Sequence, residues 1–185
     1  MAQVAIDRGQ SREALEHLRE AENLYGRVAP ESSLGIHVLV TAARAHDRLG
    51  EHAEAFDRFM RASGLARETG CEVERHIIDS QLGEHFRLRG EEEKAVELLT
   101  RSARELGELG AKFDVARARL WLARLLCDAH MARSLEDRQR EIKLARSNLF
   151  EARRLFELLH ARGLLAECTE LEAKLQPERP APTDK

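Results

Sequence analysis

The sequence has few aromatic residues, a small net charge and no long apolar run, and each of these shortages excludes a class of protein. Aromatic side chains make up only 4% of the 185 residues, so the stacking platforms that bind single-stranded nucleic acid are missing. The net charge of −3 gives neither a basic nor a strongly acidic surface. No stretch approaches the ~18 apolar residues of a membrane-spanning helix. We therefore expect neither nucleic acid nor a membrane as a direct partner.

Cysteines are also few. Cys71, Cys127 and Cys168 are an odd number at irregular spacings, without a CxxC pair. A disulfide framework is therefore not predicted, and a reducing compartment is the better expectation. The first ten residues, MAQVAIDRGQ, lack the apolar run of a signal peptide. Together these features predict a cytoplasmic location.

Motifs that carry chemistry are absent from the sequence. It contains no GxxxxGK phosphate loop, no GxGxxG after a strand, no HExxH and no GxSxG elbow. Cys127 and His130 have the spacing of two metal ligands, but a zinc site needs a second close pair, and none follows. The sequence therefore predicts no catalytic residue, no cofactor and no metal site, and an enzyme is not expected.

The residues that are abundant favour helices. Hydrophobic residues make up 43% of the chain and charged residues 34%, with alanine, leucine, glutamate and arginine dominant. Apolar positions at helical spacing predict helices over about 11–25, 34–49, 52–67, 72–89, 91–109, 113–129, 140–160 and 164–175. Glycine at 163 is taken as the break before the last helix. The tail 176–185 contains three of the four prolines and is predicted to be disordered. The polar stretch 131–140 is left open between helix, loop and contact site.

A period of about 40 residues runs through this helical pattern. Glycines recur at Gly9, Gly50 and Gly90, and each is followed five residues later by an alanine, then by a large apolar and a small residue. The alanines are Ala14, Ala55 and Ala95. Such a period in a helical chain indicates a solenoid of stacked helix hairpins. Small residues at fixed places let neighbouring helix backbones approach closely.

The most complete copy of the pattern resembles the tetratricopeptide repeat (TPR). The family pattern is W-x-x-L-G-x-x-Y-x-x-x-G-x-x-x-x-A-x-x-x-F-x-x-A. Its packing positions correspond here to Leu82, Gly83, Phe86, Gly90, Ala95 and Leu99, with Ser102 last and Asp79 in place of tryptophan. The resemblance implies an all-α, right-handed superhelical solenoid over 1–175. Its repeats lie at about 1–31, 32–71, 72–111 and 112–162, and a capping helix spans 164–175.

The long period and the phrase FDVARARLWLARLL resemble the C-terminal arrays of large bacterial signalling and transcription-regulatory proteins. Only VAIDR precedes Gly9, which fits the end of a first helix whose start is missing. The chain is therefore expected to be the C-terminal part of a longer protein, or a piece cut from one, and the alternative is a short native N-terminus with an orphan helix. The TPR resemblance implies that a partner segment binds the groove lined by the first helix of each repeat. Carried over by the motif, the groove residues are His37, Arg44, Arg48, Arg87, Arg117, Leu120 and Arg124.

The groove positions as a whole hold five arginines against three acids, namely Asp47, Glu84 and Asp128. Arginine matches carboxylates geometrically, so a protein or peptide partner with acidic residues is one expectation. The alternative is that the arginines pair with those three acids inside the chain.

A protein-interaction scaffold is the function expected, and two other functions stay open. A sensor for a small molecule or signal peptide predicts a pocket at Trp121, which a core position would exclude. A homodimer through the first repeat predicts that Ala14, Leu15 and Leu18 are buried between two chains.

Overall fold

The computed structural model describes residues 10–28, 33–128 and 134–175, and these residues form eight α-helices and no strand. The helices are α1 (Ser11–Val28), α2 (Ser33–Arg48), α3 (His52–Glu68), α4 (Glu72–Leu88), α5 (Glu92–Glu108), α6 (Lys112–Asp128), α7 (Leu135–Leu158) and α8 (Arg162–Leu175). Each packs against the next along the chain. The prediction of an all-α helical solenoid is confirmed.

One kind of turn connects most of these helices. Each of the five connections of this kind is three residues long, and its middle residue has a positive φ. The backbone amide after that residue bonds back to a carbonyl five residues earlier, as Glu91 N does to Phe86 O at 2.9 Å. This Schellman geometry satisfies carbonyls at the helix end and reverses the chain. The middle residues are Gly50, Gly70, Gly90, Gly110 and His160.

The repetition of this turn explains the period of the sequence. Helices α3, α4, α5 and α6 are each 17 residues long, and three residues separate each from the next. Two helices with their turns therefore occupy 40 residues, the spacing from Gly50 to Gly90.

The connection between α6 and α7 is built differently. Ser134 caps α7 by accepting a hydrogen bond from the amide of Asp137 at 3.1 Å. The guanidinium of Arg138 donates to the carbonyls of Leu126 and Cys127 at 3.0 and 2.7 Å, so a side chain satisfies the end of α6. Because α7 begins at Leu135, most of the stretch 131–140 is helix. Residues 131–133 lie outside the described residues, as do the expected turn at Gly9 and the tail 176–185.

The break predicted at Gly163 was wrong. Helix α7 ends at Leu158, the turn residue is His160 with φ 54°, and Gly163 lies in the first turn of α8. The Schellman turn needs one residue in the left-handed region, and here a histidine occupies that position.

The core runs along the solenoid in neighbouring clusters. One cluster joins α2, α3 and α4 around Phe59 and Ile78, and another joins α5 to α8 around Leu99 and Phe156. Phe86 on α4 packs against both clusters. The core is therefore continuous from α2 to α8.

Gly83 marks the closest approach of α4 and α5. A Cβ atom built on Gly83 would lie 2.6 Å from Cγ and 2.9 Å from Cδ2 of Leu99. Leu99 and Ala95 are fully buried, and Leu82 is buried beside Gly83. The structure thus places the repeat-packing residues in one hairpin, with Gly90 in its turn.

In the part of the chain that the structure describes, no helix combines the length and the apolar character that a bilayer crossing needs.

Candidate functional site

The first helices of successive repeats lie together on one side of the solenoid. Helix α2 contacts α4, α4 contacts α6, and α6 contacts α8. Among the described helices, the second helices α1, α3, α5 and α7 make no such contacts with one another. The first helices are therefore the inner row. We call the solvent-facing side chains of α2, α4 and α6 the inner face.

The structure places six of the seven predicted groove residues at least partly in solvent. His37 and Arg48 are exposed on α2, and Arg44 is half-buried there. The half-buried residues on α4 and α6 are Arg87, Arg117 and Arg124.

The seventh residue was assigned wrongly. Leu120 is fully buried in the core cluster of α5 to α8, so it cannot contact a partner. Ser80 and Val40, which occupy the same position of the repeat 40 and 80 residues earlier, are buried as well. This position is therefore buried in each of the three first helices α2, α4 and α6.

Arg87 is held by a carboxylate of its own helix. Its Nε and Nη2 donate to the two oxygens of Glu84 at 2.7 and 2.9 Å, a two-point pair. The hydrogen bond to Glu84 is the main reason that the pKa of Arg87 is raised, although burial acts against it. The charge of Asp128 on α6 acts in the same direction as Glu84.

Arg117 is the most enclosed of these arginines. Its Nη2 donates to Asp114 at 2.7 Å, and its guanidinium carbon lies 5.5 and 5.3 Å from the ring centres of Phe113 and Trp121. Burial lowers the pKa of Arg117, and Asp114 partly offsets this. The Nε atom is buried with no hydrogen-bond partner. Arg117 is thus fixed in place by one carboxylate and two rings.

Arg124 joins two helices. Its Nη2 donates to Glu167 on α8 at 2.7 Å. Two of the three acids expected to neutralise the groove, Asp47 and Asp128, do not pair with these three arginines, and Asp114 and Glu167 do so instead. Glu167 lies 43 residues from Arg124, so no local pattern predicts that pair, whereas Asp114 lies only three residues before Arg117 on the same helix.

Asp47 instead accepts hydrogen bonds from two histidines. Nδ1 of His85 lies 2.7 Å and Nδ1 of His52 lies 3.0 Å from Asp47 Oδ1. His46, beside it, is also buried and binds Glu51 at 2.6 Å. Sequence reasoning missed the two histidines that bind Asp47. Their grouping depends on the stacking of α4 on α2, across 38 residues of chain.

Two residue sets behind the alternative functions are buried within the chain. Trp121, where the sensor alternative predicts a pocket, is a buried member of the core cluster of α5 to α8. Ala14, Leu15 and Leu18 are buried against Ala42 and Ala45 of α2. The expectation that a second copy covers them was wrong, because α2 already does.

Comparison with known proteins shows the fold. No family model and no curated protein sequence matches the chain. The crystal structure of BtubC (BKLC) from P. vanneervenii is similar, with a TM-score of 0.61 and 17% sequence identity over 100% of this chain and 82% of that chain. A putative kinesin light chain from Podosopora anserina, with nearly identical TPR-like repeats, has a TM-score of 0.52 and 20% identity over 94% of this chain and 89% of its own. The helices of this chain therefore form a TPR-like repeat fold.

Proposed function

We propose that the chain is a protein–protein interaction module that binds a segment of a partner along the inner face. The observation that carries this proposal is the contact of α2, α4, α6 and α8 in series, which makes one continuous surface across the repeats. A surface built on packed helices is preformed, so the partner segment bears most of the ordering cost of binding.

The proposed partner segment carries acidic residues. Arg87 uses two of its guanidinium donors for Glu84, and the pair fixes the direction of the remaining donors. Arg124 is oriented in the same way by Glu167. Because these arginine side chains are already ordered, binding of a partner carboxylate to them costs less conformational entropy.

The proposed surface extends onto α2, where Arg48 is exposed and Arg44 is half-buried. A partner carboxylate on this part of the inner face would meet positively charged side chains there as well.

The proposal includes a setting for this module. The resemblance of the sequence to long helical arrays supports a place in a larger bacterial signalling or transcription-regulatory protein. The three cysteines are unpaired, which agrees with a cytoplasmic location. An enzymatic role is not part of the proposal, and the module acts by shape and charge.

Selection from a displayed library of acidic peptides, followed by fluorescence anisotropy, tests this function. We expect the double charge reversal Arg44→Glu and Arg48→Glu to weaken the selected peptide's binding by about tenfold or more. The matched control is Arg104→Glu, an exposed arginine of α5 on the outer row. Equal losses in both variants, or a peptide that binds both as tightly as the unaltered chain, would refute the inner face as the binding surface.

A further inference from the structure

Three side chains from three helices meet at the junction of α2, α3 and α4. Asp47 lies in the last turn of α2, His52 at the start of α3 and His85 in the last turn of α4. The ligand atoms that they offer all lie within 4.8 Å of one another. We propose that these residues are the protein ligands of a divalent transition-metal ion of the zinc class.

The chemistry of the three donors fits such an ion. Two imidazoles and one carboxylate form a borderline set that suits zinc, cobalt, nickel or copper better than calcium or magnesium. In a tetrahedral zinc site, bonds of ~2.0–2.1 Å place neighbouring donor atoms about 3.3 Å apart. The nitrogens of His85 and His52 lie 2.7 and 3.0 Å from Asp47 Oδ1. The two separations from Asp47 Oδ1 therefore need to lengthen by only a few tenths of an ångström to admit the ion.

The burial of His85 supplies a second observation. Its side chain is completely buried, and its Nε2 atom has no hydrogen-bond partner. The rings of Phe56, Phe59 and Phe86 surround the imidazole, with centres 5.4 to 5.9 Å away. Nδ1 is bonded to Asp47, whereas Nε2 is a buried polar atom that the hydrogen bonds of the fold leave unpaired.

The site also has a route to solvent. The side chain of His52 is 34% exposed, whereas that of Asp47 is 6% exposed. A water molecule on the side of His52 can complete a four-coordinate ion whose other ligands are held in the core. The neighbouring His46 and Glu51 bind each other at 2.6 Å and are not counted among the ligands.

The ion would act as a staple between two repeats, since its ligands join the first helices α2 and α4. Among the residues that the structure describes, no other junction brings together such a group of ligands. Forty residues later, the equivalent positions hold Arg87, Glu92 and Leu125, which cannot form the same set. Bound metal is therefore expected to stabilise this junction alone.

Calorimetric titration of the full chain, first stripped with EDTA, tests the site with zinc chloride alone. We expect one ion per chain, and a Tm raised by about 5 °C or more when zinc exceeds its Kd a hundredfold. His52→Gln should weaken binding at least about tenfold. His17→Gln, at an exposed histidine of α1, is the matched control and should change nothing. Equal binding by the His52→Gln and His17→Gln variants would overturn the proposal.

Two further measurements on the unaltered chain keep the proposal falsifiable if a variant fails to fold. Cobalt in place of zinc should give visible bands without the intense near-ultraviolet absorption of a thiolate ligand, because the cysteines are not ligands. Zinc should also shift the ring nitrogen resonances of two of the eight histidines. Thiolate absorption, an unshifted histidine spectrum or no heat of binding would each overturn it.

Discussion

At the scale of single residues, the fold depends on close contacts that tolerate little change. Gly83 lies inside α4, where a glycine normally costs helix stability. It is required there because Leu99 occupies the space in which a Cβ atom would lie. Gly64 lies inside α3 with nothing within 4 Å of its Cβ direction, so the two glycines have different physical reasons.

Gly83→Ala should lower the free energy of unfolding by about 1–2 kcal/mol. Overpacking against Leu99 costs about 1–3 kcal/mol, and the better helix propensity of alanine returns up to ~1 kcal/mol of it. Urea denaturation followed by circular dichroism measures the change. The control Gly64→Ala should instead stabilise the chain by about 0.5–1 kcal/mol. A stabilised Gly83→Ala variant would contradict the packing described for α4 and α5.

Cys168 is expected to make the free energy of unfolding fall as the pH rises through the alkaline range. Burial in the core raises the pKa of its thiol from 9.0 to about 11, with a further contribution from Glu172. Between these values the unfolded thiol ionises while the folded one stays neutral, so the unfolded state binds fewer protons and stability falls as pH rises. We expect Cys168→Ala to show a shallower decline between pH 9 and 11 in denaturation curves. Parallel curves for both proteins would contradict this.

At the scale of helices, the turns decide where each element ends. Four of the five turn positions with positive φ are glycines, and the fifth is His160. A side chain in the left-handed region costs about 1–2 kcal/mol. The last hairpin, α7 and α8, therefore carries strain that the earlier hairpins avoid.

His160→Gly should raise the free energy of unfolding by about 0.5–1 kcal/mol. The relief of strain exceeds the extra backbone entropy that glycine brings to the unfolded chain. Gly90→Ala is the opposite test in a turn of the same geometry, and it should lower stability by about 1 kcal/mol. Thermal denaturation of both variants checks the signs. A destabilised His160→Gly would show that the histidine makes a compensating contact.

At the scale of the whole molecule, the chain is a row of hairpins whose unity depends on a continuous core. Phe86 packs against the cluster of α2 to α4 and against that of α5 to α8. In a solenoid, stability is a sum of repeat and neighbour terms, so residues shared between clusters determine cooperativity.

Phe86→Ala should lower stability by about 2–3 kcal/mol and reduce the dependence of unfolding on urea concentration. The first effect reflects lost burial and a cavity, and the second reflects unfolding of the two clusters in separate steps. Probes in both halves, such as Trp121 fluorescence and amide exchange in α2, should then give different midpoints. Coincident midpoints would mean that other contacts couple the clusters.

The sequence alone predicts the fold well because its strongest signals are local. Glycine recurs where the turns need a positive φ, as at Gly50 and Gly90, and Gly83 faces Leu99 within one hairpin. The turn at His160 escaped prediction because residues other than glycine uncommonly take that conformation.

Prediction of the site is less complete because it depends on how repeats stack. The arginines of the inner face follow from the repeat, but Leu120 occupies a position that is buried in α2, α4 and α6 alike. The pairing of Arg124 with Glu167, and of Asp47 with His85, joins residues far apart in the chain. No local pattern marks such pairs, since they exist only once the first helices contact one another.

Hydrogen–deuterium exchange, with and without the selected acidic peptide, tests the central claim most directly. If partners bind along the inner face, the peptide should slow amide exchange in α2, α4 and α6 and leave α3 and α5 unchanged. Protection concentrated in α3 and α5, or no protection in any helix, would contradict the claim that the row of first helices is the binding surface.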